Sequence, residues 1–119
     1  MIFEVQRLFL MPFSDVYPAY VNKVERKGRS VNELHQVILW LTGFSEKEFQ
    51  QLLKSHSSLA DFFGAARINP NASLITGTIC GVKIQEIEDP LMLKIRYLDK
   101  LVDELAKGRP MEKILRSGT

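Results

Sequence analysis

The single cysteine is the first residue of this sequence that could perform chemistry. Cys80 stands in the stretch ICGV, and a thiol becomes a nucleophile when a nearby base or positive charge lowers its pKa. Four residues elsewhere in the chain could supply that charge after folding, namely His35, His56, Lys83 and Arg96. A cysteine in an apolar stretch is more often a small buried hydrophobe, so we expect Cys80 to be buried and unreactive.

Three carboxylates form a second candidate for chemistry. Glu86, Glu88 and Asp89 stand just before Pro90, and grouped carboxylates can hold a divalent cation or divide acid and base roles. Their place at the start of a predicted helix favours capping instead, because negative charge there stabilises by roughly 0.3–2 kcal/mol. The two histidines have no HxxxH or Cys-x-x-Cys companions, so the sequence predicts no metal site and no cofactor.

A polar face on the longest predicted helix is the third candidate. Arg96 and Asp99 are three residues apart, a spacing at which opposite charges pair weakly, by about 0.2–0.5 kcal/mol. If this face is covered by the rest of the fold, it could line a ligand pocket near Cys80 and the start of helix 90–107. The residues of that candidate pocket are Cys80, Asp89, Arg96, Tyr97 and Asp99. None of them is assigned a catalytic role.

A basic segment precedes two helices that have the outline of a helix-turn-helix. The stretch KVERKGR carries four positive charges and one negative charge, and the turn TGFS separates the two predicted helices that follow it. The second helix begins SEKE, so Glu46 and Glu48 would meet the phosphates of a nucleic acid. The sequence therefore argues against nucleic acid as the partner. The residues of this candidate basic patch are Lys23, Arg26, Lys27 and Arg29.

Capping signals divide the first half of the chain into helices. Ser30 with Glu33 and Ser45 with Glu48 have the spacing of capping boxes, in which each side chain bonds the other residue's backbone N–H. Pro18 is placed in an early turn of the first helix, where proline is tolerated. The helices predicted from these signals are 14–28, 31–42, 46–55 and a shorter one that follows Ser58.

The second half of the chain is more varied. The sequence Asn69-Pro70-Asn71 is typical of a turn. The β-branched stretch that follows predicts either a short hairpin around residues 74–84 or an irregular buried loop. Asp89 can cap the longest helix, 90–107, with Pro90 at its first position. Gly108 and Pro110 then end that helix, and PMEKILR predicts a last short one.

Length and composition indicate one mainly α domain. The chain has 119 residues, of which 45% are hydrophobic and 25% charged, and a chain of this length can bury a sizeable core unaided. We expect a single compact helical domain over residues 1–119, with five to six helices, no internal repeat and residues 1–12 as a loosely attached start. The residues expected to share its core are Trp40, Leu41, Phe49, Leu52, Phe62, Leu98 and Val102.

The N-terminus and the cysteine content predict a cytoplasmic protein that does not enter a membrane. The stretch MIFEVQRLFLMPF lacks a basic leader and a small-residue cleavage site, so it is a poor signal peptide. No apolar run approaches the roughly 20 residues that span a bilayer. One cysteine cannot form an internal disulfide, and the net charge of +2 is too small to indicate an anionic partner by itself.

A set of short motifs resembles a known family. The strings VYPAY, KGR, WLTGF, NPN, ICGV, EIEDPLM, IRYLDKL, DELAKG and MEKIL occur in this order. Together they resemble a family of small bacterial proteins catalogued only as a domain of unknown function, over about residues 11–116. The start of the chain fits the family loosely, which leaves open whether Met1 or Met11 begins the folded unit. The resemblance implies no activity and no site residues.

Two classes of function therefore remain open. The first is a non-enzymatic helical module that acts through a protein partner or through self-association, because an apolar stripe along the longest helix needs another helix against it. The second is a small enzyme or ligand-binding protein that uses the candidate pocket. Helix-turn-helix DNA binding is a further alternative. The sequence favours the first class, and convergence of the distant motifs in one cleft would favour the second.

Overall fold

The computed structural model describes residues 2–117, with side chains from Gln6 onward. The question of whether Met1 begins the folded unit therefore falls on a residue outside the described range. The described residues form a mainly helical fold in which a small hairpin stands before the longest helix. The α-helices are α1 Ile2–Leu10, α2 Phe13–Arg26, α3 Val31–Thr42, α4 Glu46–Lys54, α5 Leu59–Ala65, α6 Pro90–Ala106 and α7 Met111–Ile114. The strands are β1 Thr78–Ile79 and β2 Val82–Lys83, and 3₁₀ turns span Pro70–Leu74 and Ile84–Glu86.

The predicted helix starts are confirmed at α3 and α4. The Glu33 amide donates to Ser30 Oγ at 3.1 Å, and the Ser30 amide donates to the Glu33 carboxylate at 3.0 Å. Ser45 and Glu48 form the same reciprocal pair. Each box pairs two of the backbone donors that a helix leaves unpaired at its start. A stretch of four residues is therefore enough to predict each of these helix starts.

The start of α2 differs from its prediction. The helix begins at Phe13, so Pro18 is its sixth residue rather than part of its first turn. No side chain caps this end. Instead the Phe13 amide donates to the Ser57 carbonyl at 2.8 Å, and the Leu59 amide donates to the Met11 carbonyl at 2.7 Å. The entry into α2 is therefore fixed by the connection between α4 and α5, which the local sequence does not reveal.

The centre of the fold is α6, which packs against α2, α3, α5, α7 and β1. The α2 and α6 helices run parallel, since successive residues of α2 meet successive residues of α6 in the same order, Tyr20 with Asp99 and Lys23 with Asp103. The buried apolar side chains, apart from that of Ala106, form one cluster. Of the predicted core residues, five are buried, while Trp40 and Leu52 are partly buried and pack against the same cluster, so the expectation of a shared core is confirmed.

Phe62 of α5 joins the aromatic part of this core. Its ring stacks on that of Phe13 with 3.9 Å between centroids, and it meets Phe44 and Phe63 edge-on at 5.2 and 5.1 Å. Edge-to-face and stacked pairs add roughly 0.5–1.5 kcal/mol each beyond the burial of their area. These rings hold α2, α5 and the turn before α4 together.

The end of α3 is capped by a distant segment. Gly43 follows the helix in the left-handed conformation, with φ of +72°. Four consecutive carbonyl groups at this end accept hydrogen bonds from Arg67 and Asn69, so the segment that contains the NPN motif satisfies groups that a helix end leaves unpaired. The pairs are Asn69 Nδ2 with Trp40 O, Asn69 N with Leu41 O, Arg67 N with Thr42 O and Arg67 Nη2 with Gly43 O.

The first helix lies against α5. Leu8 and Phe9 pack on the core cluster, whereas Leu10 is 72% exposed. Within residues 2–117, no helix has both the length and the apolar character that crossing a bilayer requires.

Candidate functional site

The hairpin turn places Cys80 on the surface, so the expectation that Cys80 is buried is wrong. Thr78 pairs with Lys83 and Ile79 with Val82, which leaves Cys80 and Gly81 as the two turn residues. Both have positive φ, 53° and 79°, as a type I′ hairpin turn requires. Such a turn directs its side chains away from the core, so Ile79 is buried and the thiol beside it is exposed.

Asp89 has the capping role that its position predicts. Its carboxylate accepts a hydrogen bond from the Met92 amide at 2.8 Å, at the start of α6. Glu86 and Glu88 are exposed. Among the described residues, no group of three or more histidine, cysteine, aspartate or glutamate side chains has the arrangement of a metal site.

Arg96 and Asp99 lie in a polar cluster that includes Tyr20 of α2. Arg96 Nη1 donates to Asp99 Oδ2 at 2.9 Å, which is the predicted local pair. The Tyr20 hydroxyl donates to the other carboxylate oxygen at 2.6 Å. Burial, followed by the negative charge of Asp99, holds the pKa of Tyr20 well above its usual range. Burial also raises the pKa of Tyr97.

Of the candidate pocket residues, Arg96 bonds Asp99, and Cys80 lies near enough to Tyr20, the other partner of Asp99, to raise the pKa of Tyr20. Asp89 and Asp99 are separated by ten residues of α6, or roughly 15 Å along the helix. The hairpin reaches α6 through Lys100, whose Nζ donates to the Thr78 carbonyl at 3.0 Å. A depression on the hairpin contains none of the five candidate residues. It is lined by Gly81, Val82, Lys83, Glu86 and Ile87.

The predicted basic patch divides into internal contacts and exposed charge. Arg29 pairs with Glu33 at 2.7 Å, so its charge is engaged within the fold. Lys23 pairs with Asp103 of α6 at 3.2 Å. Arg26 and Lys27 are exposed, and neither forms an ion pair within the part of the chain that the structure describes.

The two parallel helices end in the same tripeptide, a repetition that the sequence analysis missed. Lys-Gly-Arg follows α2 at 27–29 and α6 at 107–109. Arg29 N donates to Val24 O at 2.9 Å, and Arg109 N donates to Glu104 O at 3.1 Å. Each central glycine has positive φ and donates to the carbonyl three residues earlier. Both ends are therefore Schellman motifs, and the repeated string KGR was the available signal.

A buried carboxylate holds the C-terminal segment on α6. The Glu104 side chain is 8% exposed. It accepts two hydrogen bonds from Arg116, at 2.6 and 2.9 Å, and one from Arg109 at 3.0 Å. Asn71 of the NPN motif donates to the Arg116 carbonyl at 3.1 Å. No local pattern in the sequence predicts this network, because its partners come from separate elements.

A second missed network joins α2, α3 and α4. Tyr17 Oη lies 2.5 Å from His35 Nε2, and His35 Nδ1 lies 3.0 Å from Glu46 Oε1. An ionised carboxylate only accepts hydrogen bonds, so in the neutral imidazole Nδ1 carries the proton and Nε2 accepts the Tyr17 hydroxyl. Burial, then the charges of Glu46 and Glu25, raise the pKa of Tyr17. The other histidine, His56, lies with its Nδ1 2.9 Å from Ser14 Oγ.

A protein-family model matches the region that contains the motifs quoted above. The family model described as "Uncharacterized protein conserved in bacteria (DUF2200)" matches residues 7–116. The chain belongs to this family. A crystal structure described as that of uncharacterized protein SP1917 is 48% identical to this chain, with a TM-score of 0.87. The similarity covers 92% of this chain and 91% of that one. The comparison with curated proteins gives no significant match.

In this DUF2200 protein, the network between α2, α3 and α4 contains side chains that could do chemistry. The hydroxyl, imidazole and carboxylate of Tyr17, His35 and Glu46 are ordered as in an activated nucleophile. The raised pKa of Tyr17, however, favours the protonated phenol, which is a hydrogen-bond donor rather than an attacking group. The network links three helices, and its described geometry accounts for the position of each side chain in it.

Proposed function

We propose that this DUF2200 protein is a non-enzymatic helical module that acts by binding a protein partner. The observation that supports the proposal is that its distinctive motifs bond to other parts of the fold. The KGR, NPN, ICGV and IRYLD segments are distant in sequence, and the bonds that they make hold the helices and the hairpin together.

These motifs make contacts that join separate elements. The first KGR turn meets the end of α6 through Arg29, and NPN caps α3 and holds Arg116. ICGV forms the turn of the hairpin. IRYLD joins α6 to α2 through Asp99. Motifs that maintain a shape, rather than a cleft, favour a protein whose outer surface carries the function.

Site-specific photo-crosslinking in the native cells tests the proposal. A photoreactive amino acid is placed in turn at Arg26, Lys54, Leu74 and Lys113, which are exposed positions on different elements. We expect a discrete adduct with one other protein from one of these positions and none from the others. An adduct of twice the chain mass would identify self-association instead. Absence of adducts from every position would contradict the proposal.

A second candidate function is a small enzyme, which the Tyr17–His35–Glu46 network favours. If His35 acts as a base for Tyr17, the chain should hydrolyse activated esters such as p-nitrophenyl acetate, and His35→Gln should abolish that rate. The matched control is His56→Gln, since His56 also bonds a hydroxyl of α2 but has no carboxylate partner among the described residues. Equal rates for both variants and buffer would remove this candidate.

A further inference from the structure

We propose that the end of the molecule at which α2 and α6 finish is the docking face, and that its occupant is an acidic segment of the partner. This inference rests on the proposed function. The face, called here the cationic end, consists of residues 23–29 and 103–109. It contains both Lys-Gly-Arg turns.

The two turns are held side by side by direct bonds. Arg29 Nη1 donates to the Leu105 carbonyl at 3.3 Å and to the Arg109 carbonyl at 2.9 Å. Lys23 and Lys107 both pair with Asp103, at 3.2 and 2.9 Å. The cationic residues of two distant segments therefore form one continuous surface.

The charge of the whole chain is concentrated at this end. Residues 23–29 contain four cations and one carboxylate, and residues 103–109 contain two of each. The cationic end thus carries a net charge of +3, whereas the whole chain carries +2. All other residues together are therefore slightly negative.

The charges are also layered. The carboxylates lie inside, with the Asp103 and Glu104 side chains 16% and 8% exposed. Most of the cations lie outside, with the Lys107 and Lys23 side chains 74% and 45% exposed, whereas the Arg29 side chain is 16% exposed. In these two segments Glu25 is the exposed carboxylate. A partner that approaches the cationic end therefore meets positive charge first.

Stabilisation of the helix ends explains only part of this charge. Each helix C-terminus carries the equivalent of about half a negative charge, so two ends together account for about one positive charge. Of the net charge of +3, about two positive charges therefore remain after the two helix ends are offset. Arg26 and Lys27, which have no ion-pair partner within the described part of the chain, are the natural source of this excess.

The side chains of the cationic end favour an acidic protein segment over other polyanions. Residues 23–29 and 103–109 contain no aromatic residue to stack on bases and no Asn or Gln to pair with adenine. The large apolar side chains exposed within the described residues lie elsewhere, at Leu10, Met11, Leu74 and Val82, so none is available here to insert into a lipid surface. Guanidinium and ammonium groups alone match carboxylates well.

A titration with a labelled deca-glutamate peptide tests the inference by fluorescence anisotropy. We expect binding that weakens as salt rises, because exposed charges are screened beyond about 8 Å at physiological ionic strength. The variant Arg26→Glu with Lys27→Glu should weaken it about tenfold or more. The matched control is Lys47→Glu with Lys54→Glu, which makes the same charge change on α4 and also alters a last helical turn. Thermal melts confirm that both variants are folded.

Several outcomes would overturn the inference. Deca-glutamate that does not bind at low salt, or that weakens equally in both double variants, would show that the cationic end is not the site. Tighter binding of a mixed-sequence DNA duplex, or of phosphatidylglycerol vesicles, at the same salt would assign another occupant. If deca-glutamate fails while crosslinking yields an adduct from Lys54, Leu74 or Lys113, the inference fails and the proposed function stands. If no position yields an adduct, the proposed function itself fails.

Discussion

Gly43→Ala should destabilise this fold far more than alanine at two other glycines in the same conformation. Gly28, Gly43 and Gly108 all follow helices with φ between +72° and +88°. A Cβ at Gly28 or Gly108 would have nothing within 4 Å, whereas at Gly43 it would lie 2.7 Å from the Arg67 carbonyl oxygen. Because that oxygen belongs to the backbone, the segment that caps α3 would have to move.

The magnitude follows from these differences. The left-handed conformation costs an alanine roughly 1–2 kcal/mol at all three positions. At Gly43, displacement of Arg67 also weakens the bonds of Arg67 N to Thr42 O and Asn69 N to Leu41 O, which are 2.7 and 3.0 Å long. Each such bond contributes about 0.5–1.5 kcal/mol. We therefore expect a loss of roughly 2–5 kcal/mol for Gly43→Ala, against roughly 1–2 kcal/mol for the other two.

Urea denaturation of the three variants measures the difference. The loss of unfolded-state entropy that alanine brings is common to all three, so it cancels in the comparison. The midpoint should fall most for Gly43→Ala, with an unchanged slope that validates the free energies of unfolding. If Gly43→Ala is no less stable than Gly28→Ala and Gly108→Ala, the close approach of Arg67 to Gly43 does not contribute as argued.

Three further perturbations have definite expected results. Glu104→Gln should lower the free energy of unfolding, measured in urea, by about 3–5 kcal/mol, because Arg116 then loses a buried charge partner. If Glu104→Gln is less destabilising than Asp103→Asn, this reasoning is contradicted. The hydrogen bond from Arg29 holds the pKa of Glu33 at about 2 instead of 4.5, so its stabilisation is present above pH 4.5 and is lost as the pH falls toward 2. Glu33→Gln should flatten the pH dependence of the urea midpoint in that window, and an unchanged profile would refute the assignment. Cys80 should react with a thiol reagent without denaturant, since it is exposed; labelling that requires unfolding would restore the buried interpretation.

The starts of α3, α4 and α6 were predictable from the sequence because their causes are local. Ser30 and Ser45 bond residues only three positions away, so the capping boxes act wherever the chain folds. Asp89 and Pro90 start α6 for the same reason. Periodicity likewise identified a shared core, because a residue's face on a helix depends only on spacing. The start of α2 was misplaced, since it depends on Ser57 and not on its own neighbours.

The candidate site was decided by tertiary structure. The partners of Tyr17 and Asp99 are 18 and 79 residues away in sequence, and no spacing rule predicts which surfaces meet at such separations. Cys80 was misjudged because an apolar stretch fits either a buried loop or a hairpin, and only the register puts Ile79 inward and the thiol outward. The positive charges at 23–29 were evident from sequence. The sequence does not show that these charges lie beside the second Lys-Gly-Arg turn. That proximity depends on the parallel arrangement of α2 and α6, which only long-range packing produces.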